Sequence, residues 1–211
     1  MHALAYKIPF SCNEYGRRNS SNPSHTVAPS KSGAHQPRLA TPMASTEQPA
    51  RPRFTSVKTY KHAAGHPTFW YPPEWQLQET DTPHPAVSLY PDPSDEATFI
   101  SITVQDMGQP LAAEESSLLA EGIEEGLNQL DECVVERLDV LDDVGDWCRE
   151  WVCTFMQDGT TRRRRARLFC AEKHLYSVVI QGATSERYEY WRGMMEWVML
   201  TVSNTTTDMG S

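Results

Sequence analysis

The densest chemistry in this 211-residue sequence is Arg162-Arg-Arg-Arg-Ala-Arg, five guanidiniums within six positions. A guanidinium grips phosphate or carboxylate through paired N–H groups. On a strand, alternate residues point to opposite faces, so the five arginines cannot share one surface. Two readings stay open. In one, the arginines pair across strands with Glu150 or with the acidic stretch 139–146, and so neutralise an acidic body from within. In the other, guanidiniums such as Arg163 and Arg165 form an anion- or partner-binding patch. Nuclear targeting would need a flexible segment, and this run falls in a predicted hairpin.

A second group lies near the C-terminus. At helical spacing, Tyr188, Trp191, Met195 and Val198 make one apolar face, and Tyr190, Met194 and Trp197 make another. A helix that covers a sheet needs only one. Either a wide stripe is buried, or the second face is a partner-binding patch of a composition enriched at interfaces. The patch reading predicts that at least one of Tyr190, Met194 and Trp197 is well exposed.

The remaining reactive side chains point to no reaction. His62 and His66 straddle a glycine, and a proline follows His66, so the one-turn helical spacing of a zinc site is not available to them. His84 brings no cysteine or carboxylate motif with it, and no metal or cofactor is expected. There is no Gly-x-Ser-x-Gly elbow, phosphate loop or dinucleotide fingerprint, and no catalytic residue is assigned. The five cysteines, Cys12, Cys133, Cys148, Cys153 and Cys170, form no Cys-x-x-Cys pair. An odd count with no continuous apolar core at the N-terminus predicts a reducing, cytoplasmic setting.

Charge narrows the partners. The net charge of −9 divides into +5 up to Thr55 (seven Lys/Arg against Glu14 and Glu47) and −14 beyond it. An acidic body disfavours nucleic acid and anionic membrane, both of which need a basic face. No apolar run approaches the ~18 residues that would span a bilayer.

These residues need a scaffold. Residues 1–54 are rich in Ser, Pro, Asn and His without apolar periodicity, and are expected to form a disordered arm. A transit-peptide character and a true start at Met43 are alternative readings of the same stretch. Residues 55–203 are expected to fold, and 204–211 to form a tail. Alternation predicts strands at 57–62, 68–71, 75–80, 86–90 and 98–104. A helix with the stripe Leu119, Ile123, Leu127 and Leu130 is predicted over about 112–130. Further strands follow at 134–141, 147–156, 161–170 and 175–180, with a hairpin turn at Asp158-Gly159. A helix capped at Thr184 or Ser185 closes the chain. Strands with few intervening helices imply an antiparallel sheet with a helix for each face: an α+β fold, an α-β-α sandwich.

In this order, the stretch Phe69-Trp-Tyr-Pro-Pro-Glu-Trp75 resembles the opening Phe-x-x-Pro-x-x-Trp signature of the PsbP-like and Mog-type superfamily, which includes DcrB-like bacterial proteins. The segment 191–198 is similar to that family's last helix. The resemblance spans roughly residues 57–202. It implies an α-β-α sandwich and a binding protein without shared catalytic residues. Roles in the family include a luminal photosystem subunit, a Ran-binding import factor and secretion chaperones. The lack of a lumen-type signal counts against the first, and the expected partner is another protein. A small-ligand-binding or enzymatic domain, with a pocket between sheet and helices, is the alternative.

Overall fold

The structure is a computed structural model. It describes residues 51–63, 65–80, 84–141 and 146–203. The expected arm as far as residue 50, with Cys12 and the alternative start at Met43, lies outside the described residues, as does the tail at 204–211.

Among the described residues, nine strands and two helices follow the predicted order. They are β1 (Lys58–Lys61), β2 (Thr68–Tyr71), β3 (Gln76–Thr80), β4 (Ala86–Tyr90), β5 (Phe99–Asp106), α1 (Ala113–Asn128), β6 (Val134–Val140), β7 (Trp147–Gln157), β8 (Thr160–Ala171), β9 (His174–Gly182) and α2 (Ser185–Thr201). The main sheet has seven strands in the order β3-β4-β5-β9-β8-β7-β6, and every neighbouring pair is antiparallel. The chain leaves the middle of the sheet at β5, crosses through α1 to the β6 edge, and returns by successive hairpins to β9. Asp158 and Gly159 both have positive φ, 52° and 72°, as a tight β7–β8 turn requires.

Side-chain alternation sorts the sheet into two faces. Ile100, Ile102 and Val104 of β5 and Tyr176, Val178 and Ile180 of β9 pack in one cluster with Tyr188, Met195, Val198 and Met199 of α2. Residues of the opposite parity, including Trp151, Phe155 and Leu168, are buried outside that cluster, as are Leu119, Ile123 and Leu127 of α1. The Glu115 carboxylate of α1 acts on the Cys170 thiol, which belongs to this second face. The described body is thus an α-β-α sandwich around one antiparallel sheet.

β1 and β2 stand apart as a two-stranded sheet. Pro72 and Pro73, which supply no ladder donors, separate them from β3. This hairpin lies against α2. The Trp70 N–H donates to the Thr201 hydroxyl at 3.0 Å, and Thr68 and Ser203 exchange backbone hydrogen bonds. Helix α2 begins where the Thr184 hydroxyl accepts the Arg187 N–H at 3.2 Å. Helix α1 begins with an alanine, and there the Glu115 carboxylate accepts the Ala112 N–H at 2.9 Å.

Candidate interaction surface

Strand β8 sends its arginines to both faces. Arg163, Arg165 and Arg167 stand opposite Gly182, Ile180 and Val178 and so share the face that α2 covers. Arg162 and Arg164 point the other way. Arg164 donates to the Gln181 side-chain oxygen at 2.7 Å and lies 4.5 Å over the Phe155 ring. Arg162 reaches the Ala183 carbonyl at 3.3 Å.

On the α2 face the arginines converge on Glu150 of β7, which is 2% exposed. Its carboxylate accepts from Arg167 at 2.7 and 2.9 Å, from Arg165 at 2.7 Å and from Arg137 of β6 at 2.6 Å. Burial alone would raise the Glu150 pKa. The hydrogen bond from Arg167 and the charge of Arg165 outweigh it and hold the carboxyl below its ordinary value. Arg165 also pairs with Glu196 of α2, and Arg163 bridges Glu136 of β6 and Glu189 of α2. Arg137 reaches Asp139, and Arg192 reaches Glu189.

These ion pairs fall in two balanced sets, Arg137, Arg165 and Arg167 with Asp139, Glu150 and Glu196, and Arg163 and Arg192 with Glu136 and Glu189, five cations and five anions in all. A phosphate site needs uncompensated positive charge, and here it is balanced in place. The geometry of these pairs is that of an electrostatic weld of β6, β7 and β8 to α2.

The second face of α2 is covered as well. Met194 is buried in the core, while Tyr190 and Trp197 are half-buried. The expected wide exposure of at least one of the three is not found. Trp197 packs against Phe54 (ring centroids 4.6 Å) and Trp70 of β2 (6.0 Å), and Trp191 meets Trp75 edge-on at 6.1 Å. Tyr190 abuts Trp191 at 5.1 Å, and the Arg187 guanidinium lies 5.8 Å from its ring. The helix has two apolar faces because it lies between two sheets, the main one and the β1–β2 hairpin.

The histidines and cysteines hold no reactive arrangement among the described residues. The His66 ring meets that of His174 at a tilt, with centroids 4.1 Å apart, and burial, then His66, keeps His174 below its ordinary pKa. No group of three or more His, Cys, Asp or Glu among the described residues could hold a metal. Cys133, Cys148, Cys153 and Cys170 are thiols. Burial pushes Cys153 and Cys170 up to about 12, which leaves them protonated and weakly nucleophilic at neutral pH.

What the sequence did not single out is β6. It is an edge strand, and Val134, Val135, Leu138 and Val140 are 60%, 43%, 48% and 57% exposed. They are four of the seven large apolar side chains exposed among the described residues. A register shift between Val135 and Arg137 marks a bulge at Glu136. It places Val135, Leu138 and Val140 on the α1 face, opposite Cys153, Trp151 and Arg149. The visible signal was a strand with aliphatics on both parities and charges between them, which suits an edge.

No protein-family model and no curated protein matches this chain. Among solved structures, it is similar to the solution structure of the cyanobacterial PsbP protein CyanoP from Synechocystis sp. PCC 6803, with TM-score 0.51 and 11% identity over 72% of this chain and 94% of that one. The fold is PsbP-like. Two other structures match with TM-score 0.45 and 11% identity. One is PA94 of Pseudomonas aeruginosa, a protein of unknown function (72% of this chain, 99% of that one), and the other is LpqN of Mycobacterium tuberculosis, involved in cell envelope biogenesis (70% and 90%). No helix among the described residues is long and apolar enough to cross a membrane.

Proposed function

We propose that this PsbP-like chain is a non-catalytic protein-binding module that works in a reducing, cytoplasmic setting and docks its partner along β6. The carrying observation is the cluster of exposed aliphatics on a seven-residue edge strand. An edge strand offers unpaired backbone donors and acceptors, and neighbouring apolar side chains supply the burial that makes strand addition favourable. The neutral arginine network supports the same reading, since it fixes β6 to the body through Arg137 and Glu136, and no strand among the described residues pairs with its outer edge. The buried thiols are consistent with a reducing setting.

Affinity capture from native lysate with the full chain tests this, using Leu138→Lys and Trp197→Ala as the two comparisons. The wild type and Trp197→Ala are expected to retain the same bound protein, and Leu138→Lys to lose it. Retention by Leu138→Lys with loss in Trp197→Ala would move the surface to α2, around Tyr190 and Trp197 with Arg163 and Arg165 at its rim.

A further inference from the structure

Strand β6 carries more than an open edge, because its charges and its outward backbone groups are complementary to themselves. The Leu141 N–H donates to the Cys148 carbonyl of β7. In an antiparallel ladder, residues alternate between facing the partner strand and facing away. With Val140 opposite Arg149 and Leu138 opposite Trp151, the N–H and C=O groups of Leu138 and Val140 point away from β7, out of the sheet.

We propose that this edge pairs with the same edge of a second copy of the chain, antiparallel, with Leu138 opposite Leu138 about a two-fold axis. The inference rests on the reading of β6 as the docking edge and names its occupant. In this register, Arg137 of each copy faces Asp139 of the other, so the Arg137–Asp139 pair within each copy meets its counterpart in a four-charge cluster of alternating sign on one face of the joined sheet. On the other face the two Leu138 side chains meet. Because the bulge at Glu136 takes up one residue, Val135 of each copy comes opposite Val140 of the other. The outward N–H and C=O groups of the two Leu138 residues then pair directly. Moving the axis to residue 137 or to residue 139 would instead set Arg137 against Arg137 or Asp139 against Asp139, and like charges directly opposite are unfavourable. One register therefore satisfies backbone, charge and apolar rows together, and the contact is isologous and closes at two copies.

The test is the mass of the full chain in solution across a dilution series, by sedimentation or light scattering. The wild type is expected at twice the 23.9 kDa chain mass when concentrated. Leu138→Lys and Asp139→Lys should each fall to the single-chain mass with an unchanged circular dichroism spectrum. A wild type that stays at the single-chain mass overturns the self-pairing. It leaves the broader β6 reading to the capture experiment, where loss of a different protein in Leu138→Lys would uphold it. A dimer that persists in both Leu138→Lys and Asp139→Lys also overturns the self-pairing, since the copies would then join through another surface.

Discussion

Glu150 accepts from three arginines while almost wholly buried, so each guanidinium depends on one carboxylate for part of its compensation. Removing one member of such a set leaves buried charge without a partner, which is costlier than never having buried it. Glu150→Gln is therefore expected to destabilise the fold by about 3 kcal/mol, read as a lower denaturation midpoint at unchanged slope. An unchanged midpoint would mean that the network adds nothing. The pH dependence has a definite sign. The Glu150 pKa is depressed in the folded chain, so its contribution is complete above the ordinary glutamate range and is lost as pH falls through the folded value. Thermal scans should thus show melting temperature falling on acidification, with a smaller fall in Glu150→Gln. Arg163→Ser with Arg165→Ser should also lower the melting temperature, because both reach across to α2; unchanged melting would argue against the weld. Strand periodicity alone was enough to divide the five arginines between two faces, and Glu150 was visible as a partner for them. The involvement of Arg137, Glu189 and Glu196 was not, because it depends on where β6 and α2 come to lie.

At the scale of elements, α2 is held where a side chain would not fit. A Cβ added at Gly182 would lie 2.4 Å from the Tyr188 backbone nitrogen, and backbone cannot yield as a flexible side chain can. Gly182→Ala should displace α2 and loosen both layers on it, seen as a lower melting temperature and faster amide exchange in 185–201; wild-type values for both would show the close approach to be unimportant. The two apolar faces of α2 were legible in the sequence, whereas their cover was not. Residues 58–71 read as two ordinary strands, and period-two alternation does not reveal that they form a separate hairpin behind the helix. Packing also reaches Phe54, whose ring meets Trp197. For β6, alternation predicted the strand correctly. Its position at the edge and its bulge follow from strand order, which is set by contacts distant in sequence.

Across the whole molecule, the neutral weld and the open edge lie at the same end of the sheet. The body has a helix on each face, and α2 is also roofed by the β1–β2 hairpin. Exposed aliphatic side chains concentrate on β6, where they add little to the stability of the isolated chain. Leu138→Lys is accordingly expected to shift stability by no more than about 0.5 kcal/mol, as exposed positions do, while it abolishes association. A large loss of stability would instead give Leu138 a role in the core. The most direct test of the docking edge is photo-crosslinking in native lysate, with a photoreactive side chain placed at position 138 in one sample and at position 197 in another. A discrete crosslinked species is expected from position 138 and none from position 197. Crosslinking from position 197, with position 138 silent, would contradict it.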